Sequence, residues 1–130
     1  MSQRKRSFNP GDVLVGPGEL PPGETRMVRV DFGDYKEEVI LINTEYGYRA
    51  YINRCRHLPV SLDWGDGEVL DASGKMLECR THGALYRMKD GLCVAGPCQG
   101  APLARVDLEE RDGSVYLANS DSSDESEDVI

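Results

Sequence analysis

The sequence predicts an all-β domain. Short runs rich in branched apolar residues recur along the chain, three Asp-Gly pairs punctuate it, and no window sustains a helical period. "TRMVRV" (25–30) reads as a short strand with Met27 as a core contact. "EVILIN" (38–43) is apolar without alternation, the pattern of a strand covered on both faces. "YRAYIN" (48–53) alternates, and Tyr46-Gly47 before it turns the chain back. Asp66-Gly67, Asp90-Gly91 and Asp112-Gly113 are hairpin signals, because these residue types accept the positive φ that tight strand-to-strand turns require. The last pair separates "ARVDLEE" from "SVYLA", where Val106, Leu108, Val115 and Leu117 alternate. Residues 1–11 read as a flexible N-terminus and 119–130 as a disordered acidic tail, since neither has much to bury; 12–118 is the folded domain.

The 130 residues are enough for one domain with a modest core. Fifteen basic against 23 acidic side chains give −8, but the tail "SDSSDESEDVI" holds five carboxylates. Without them the balance is 15 against 18, or −3, so the folded part is nearly neutral. The one basic cluster, Arg4, Lys5 and Arg6, is short and has no aromatic residues interleaved, which argues against nucleic acid as a partner. No stretch approaches the roughly 18 apolar residues of a membrane span, and the basic opening is not followed by the apolar core of a secretory signal. The expectation is a cytoplasmic monomer. In that reducing setting the four cysteines are ligands or thiols rather than a disulfide framework.

The chemistry sits in "NRCRH" (53–57) and "ECRTHGALY" (78–86), which place the chain's only two histidines each within three residues of a cysteine. Cys55 and His57 are two apart and point to one side of an extended loop; Cys79 and His82 are three apart, the reach of a tight turn. Asp66-Gly67 lets the intervening chain go out and return, so each of two loops offers one thiolate and one imidazole. Zinc in a Cys₂His₂ site is one candidate, although zinc sites more often draw on like pairs, C-x₂₋₄-C and H-x₃₋₅-H. A mixed pair on each loop suits a two-iron cluster, with both cysteines on one iron and both histidines on the other.

C-x-H followed about twenty residues later by C-x₂-H-G resembles the Rieske [2Fe–2S] motif, standing here as Cys55-Arg56-His57 and Cys79-Arg80-Thr81-His82-Gly83. "LPPGETRMVRV" resembles the family's opening strand, and "LDW" (62–64) follows the first ligand loop as in the family. "HGALYRMKDGLCVAGPCQGAPL" resembles the second ligand loop, a hairpin, and the Gly-Pro loop, Gly96-Pro97, that covers the cluster. The resemblance implies Rieske-type antiparallel sheets with an inserted cluster-binding subdomain at about 53–100, and Cys55, His57, Cys79 and His82 as ligands of a [2Fe–2S] cluster. It further implies a ferredoxin-type electron carrier, not catalytic alone, that passes single electrons from a reductase to an oxygenase or other oxidoreductase. The Rieske-type oxygenases hold a separate mononuclear iron with further histidines, and both histidines here are already committed.

In high-potential relatives a Ser two residues and a Tyr four residues after the second His donate hydrogen bonds to cluster sulfur; here these positions are Ala84 and Tyr86. The disulfide that ties the ligand loops in respiratory complexes falls at Val60 and Thr81, so it is absent, and an intermediate potential is expected. Arg56 and Arg80 either simply face water or draw an acidic partner face towards the cluster. Trp64 reads as core, and Cys93 and Cys98 as free thiols; a disulfide between them would instead be a redox-linked lock. Two other readings stay open: a zinc-binding structural or interaction module, and a redox-sensing regulatory subunit in which that cysteine pair would serve.

Overall fold

The computed structural model describes residues 7–55, 60–63, 65 and 67–118, which form ten strands in three sheets with no helix among them. The largest sheet is built on β4 (Lys36–Thr44), flanked by β3 (Thr25–Asp31) and β5 (Gly47–Ile52), both antiparallel to it. Its register explains the missing alternation in "EVILIN". Val39, Ile40, Leu41 and Ile42 are all fully buried. Ile40 and Ile42 join one core, with Tyr51, Leu62, Val69, Leu77 and Tyr86. Val39 and Leu41 face the other way into a second core, with Val15, Val28, Val30, Ala50, Val115 and Leu117. A strand between two cores has no wet face, so period two disappears from its sequence.

The turn from β4 to β5 is centred on Glu45-Tyr46, one residue before the expected Tyr46-Gly47, because Thr44 pairs with Gly47. The Thr44 hydroxyl closes it, accepting from the Tyr46 N–H at 2.9 Å and donating to the Gly47 carbonyl at 2.6 Å. Short β1 (Ser7–Phe8) pairs in parallel with β3. It lies inside the stretch 1–11 that the sequence marked as flexible. Phe8 supplies the difference, since its ring packs against the second core and anchors the strand.

The second sheet has the order β2 (Val13–Val15), β10 (Ser114–Leu117), β9 (Leu108–Arg111). Asp112-Gly113 makes the predicted two-residue hairpin, with Ser114 paired to Arg111 and φ of 53° and 84° at the two turn residues. The third sheet, β6 (Met76–Glu78), β7 (Leu85–Arg87) and β8 (Cys93–Ala95), is antiparallel throughout and carries the first core's outer wall. Asp90-Gly91 lies in the β7–β8 connection as expected, whereas Asp66 and Trp64 lie outside the described residues. Gly91 is fixed there by close packing, because a Cβ on it would stand 2.8 Å from the Tyr51 ring. The same ring's hydroxyl donates to the Met88 carbonyl at 2.7 Å, pinning the third sheet to the first.

Candidate metal centre

Two loops of matching construction meet over the first core. Cys55 follows β5, and its N–H donates to the Val60 carbonyl at 2.7 Å; Cys79 follows β6, and its N–H donates to the Ala84 carbonyl at 2.9 Å. Each cysteine thus closes a loop back to the residue five positions on. Gly83, at φ +75°, lets the second loop return tightly enough for its N–H to reach the Cys79 carbonyl at 2.7 Å. The Arg80 N–H donates to the Leu62 carbonyl at 2.8 Å, which ties one loop to the other.

This construction brings together three of the four expected ligands. One ligand atom from each of Cys55, Cys79 and His82 lies within 4.8 Å of the others. His57 and Arg56 lie outside the described residues. Burial pushes the Cys79 thiol up from its ordinary value; the backbone N–H groups of His82 and Thr81 pull the other way, and the nearby Cys55 sulfur adds to the rise. Two buried sulfurs held side by side with an imidazole are costly as anions and favourable once a cation replaces their protons. Such a donor set suits iron–sulfur or zinc chemistry and fits a two-iron cluster.

A third loop closes over the second. Gly96, at φ +103°, packs so closely that a Cβ there would stand 2.7 Å from the Cα of Ala84. Ala84 is fully buried, and Pro97 beside Gly96 is exposed. Tyr86 is fully buried with its hydroxyl 3.4 Å from Cys55 Sγ, where the resemblance placed a donor to sulfur. The hydroxyl also lies 3.0 Å from Cys98 Sγ, which is 3.3 Å from Cys93 Sγ. All four of Cys55, Cys79, Cys93 and Cys98 are unbridged. Arg80 is half-buried, and its guanidinium donates to the Glu68 carbonyl at 3.4 Å.

Asn53 is a positioning residue that sequence reasoning missed. Buried two residues before Cys55, its side chain accepts from the Leu62 N–H at 2.8 Å and donates to Glu38 and Asp63 carboxylate oxygens, both at 3.0 Å. Asp63 in turn accepts from the N–H groups of Gly65 and Gly67 at 3.2 and 2.7 Å. Burial pushes the Asp63 carboxyl up, but these hydrogen bonds outweigh it and hold the group below the usual carboxylate range. A polar knot therefore fixes both ends of the first ligand loop. The clue available beforehand was polar Asn53 directly after the strand Gly47–Ile52, two residues before Cys55.

Comparison with known proteins agrees with this geometry. Residues 13–115 match the Rieske [2Fe–2S] domain. The chain is 35% identical over 66 residues to the menaquinol:cytochrome c reductase iron-sulfur subunit of Geobacillus thermodenitrificans, a match covering 51% of this chain and 37% of that one. The chain thus spans little more than a third of that relative's length. The fold resembles the ferredoxin of carbazole 1,9a-dioxygenase from Nocardioides aromaticivorans IC177, with TM-score 0.63, 23% identity, and coverage of 85% of this chain and 98% of that one. A structure described as the complex of reduced oxygenase and oxidized ferredoxin in carbazole 1,9a-dioxygenase contains a chain with TM-score 0.61 and 26% identity, covering 82% of this chain and 99% of that one. The ligand loops, the all-β fold and the match over 13–115 converge: the chain belongs to the Rieske [2Fe–2S] domain family.

Proposed function

We propose that the chain passes single electrons from a reductase to an oxygenase or another oxidoreductase, with Cys55, His57, Cys79 and His82 holding a [2Fe–2S] cluster. When bound, that cluster would supply a one-electron couple at a potential raised by imidazole ligation above that of an all-cysteine cluster. The observation that carries the reading is a contrast in burial: Cys55 and Cys79 are 2% and 0% exposed, while His82 is half-buried. The sulfur side is sealed by the first core, and the His82 imidazole reaches the surface, where a partner can approach. The Tyr86 hydroxyl stands 3.4 Å from Cys55 Sγ, placed to donate to a cluster-bound thiolate, and the Gly96-Pro97 loop packs over Ala84. In this reading 12–118 is the Rieske domain, 53–100 its cluster-binding part, and the chain is a cytoplasmic monomer that catalyses nothing alone.

The ferredoxin–oxygenase complex among the similar structures supports this class of partner. A second reading, a subunit of a quinol-oxidising complex, draws on the reductase relative. Val60 and Thr81, standing where that class has its bridging cysteines, and Ala84 in place of Ser favour the first. The test is stopped-flow reduction of the purified protein by NADH and a flavoprotein ferredoxin reductase, followed by mixing with a reduced-Rieske-dependent aromatic-ring oxygenase. Bleaching on reduction and recovery on mixing are expected. A visible spectrum that neither partner changes would remove the carrier role between them.

A further inference from the structure

Cys93 and Cys98 are unused by the ligand set, yet the fold brings their sulfurs to 3.3 Å. Backbone pairing holds the loop between them shut: the Cys93 N–H donates to the Ala101 carbonyl at 3.0 Å, and the Gly100 N–H donates to the Cys93 carbonyl at 2.9 Å. A disulfide needs sulfurs at about 2.05 Å, so closing this pair takes a movement of about 1.2 Å, within the reach of side-chain rotation. The two sulfurs differ in access. Cys93 is 1% exposed, and its thiol donates to the Ala95 carbonyl at 3.1 Å; Cys98 is half-buried at the loop's outer side.

The pair is also wired to the metal centre. The Tyr86 hydroxyl stands between Cys98 Sγ at 3.0 Å and Cys55 Sγ at 3.4 Å, and it has one proton to donate. We infer that Cys93 and Cys98 form a redox-active dithiol, a second redox site whose oxidation state sets how fully Tyr86 hydrogen-bonds to Cys55. The part concerning Cys55 rests on the proposed ligand set. The oxidant is a low-molecular-weight disulfide. The Cys98 thiolate attacks it, releasing one thiol and leaving a mixed disulfide on Cys98. The Cys93 thiolate then attacks the Cys98 sulfur and displaces the second thiol. In sum, two protein thiols become one disulfide, one external disulfide becomes two thiols, and no other electron acceptor is needed.

Bond formation draws Cys98 Sγ towards Cys93, which is anchored by its backbone pairing, and weakens the Tyr86–Cys98 contact. The single proton of Tyr86 is then committed to Cys55, and the cluster becomes easier to reduce. The site thus reports the thiol–disulfide balance of its surroundings as a change in the carrier's midpoint potential.

The experiment incubates the cluster-loaded protein with oxidised or reduced glutathione, then measures three things. Intact mass should fall by two hydrogens without a glutathione adduct. Alkylation after acid release of the cluster should count two free thiols instead of the four in the sequence. The midpoint potential, by dye-mediated titration followed by EPR, should be higher in the disulfide form. In Tyr86→Phe the disulfide should still form while the midpoint stays the same in both forms. Cys98→Ser should give neither the mass loss nor the shift. A stable glutathione adduct on Cys98 with Cys93 still free, or four free thiols throughout, would overturn the dithiol. A disulfide without any shift of midpoint would overturn its link to Cys55. Mass and thiol count are read without the cluster, so they stand apart from a failure of the ligand assignment, which absence of a Rieske-type EPR signal would reveal.

Discussion

Replacing Tyr86 by Phe removes one hydroxyl from a fully buried ring and leaves its packing in place. That hydroxyl is 3.4 Å from Cys55 Sγ, long for a donor to oxygen but within reach of the larger sulfur, and it is shared with Cys98 at 3.0 Å. A hydrogen bond to a charged group contributes about 1.5–3 kcal/mol. Only the part that differs between the two redox states moves a potential. Sharing and distance reduce that part to roughly a third of the whole, or about 0.5–1 kcal/mol. For one electron, ~59 mV corresponds to a tenfold change in equilibrium constant, so the expected fall is about 20–40 mV. The direction follows from charge: reduction makes the sulfur more negative, and the donor stabilises that state. Cyclic voltammetry of wild type and Tyr86→Phe at one pH, with iron content confirmed equal, measures it. An unchanged midpoint at full cluster content would show that Tyr86 only packs, and the hydrogen-bond reasoning would fail.

Three further outcomes follow from the same geometry. Gly96→Ala puts a Cβ 2.7 Å from the Ala84 Cα, a backbone atom that cannot swing aside, at a φ of +103° that disfavours side chains; it should cost at least about 2 kcal/mol and lower the temperature at which the visible spectrum bleaches. Asn53→Ala strands the Leu62 N–H and removes one donor from Asp63, so roughly 2–4 kcal/mol should be lost and bleaching in urea should come at lower concentration, with Cys55 freed to move. Asp63 has a folded pKa below its unfolded value, so its contribution is complete above about pH 4 and fades as pH falls through the lower folded value. Urea midpoints measured from about pH 6 down to 3 should therefore drop more steeply for wild type than for Asp63→Asn, and parallel curves would contradict the knot around Asn53.

The strands that were readable carried either an unbroken apolar run or an unmistakable turn between them. β4 announced its two covered faces through Val39–Ile42, and the β9–β10 hairpin through Asp112-Gly113 and the alternation around it. The strands of two or three residues were not readable in the same way. Ser7–Phe8 and Val13–Val15 are too short for a period, and they exist because β3 and β10 offer them edges. The grouping of Cys55, Cys79 and His82 was legible because metal donors are rare residue types at constrained spacing. Asn53, Asp63 and the meeting of Cys93 with Cys98 were not. Those contacts join residues by hydrogen bonds and close approach that depend on how separate loops are set against each other. Composition carries no trace of such an arrangement; of these residues only Cys93 and Cys98 were singled out in advance, as free thiols with a disulfide between them as the alternative.

In the proposed ligand set His57 and His82 both bind iron, together with Cys55 and Cys79. These are the only two histidines in the chain, so labelling histidine with ¹⁵N marks both candidate ligands and no other side chain. Pulsed EPR of the dithionite-reduced, labelled protein then reads the nitrogens coupled to the unpaired electron. Two strongly coupled ¹⁵N nuclei are expected, falling to one in a His82→Cys variant that keeps its cluster. A reduced cluster showing no strongly coupled ¹⁵N, or a single one in the wild-type protein, would contradict that ligand set.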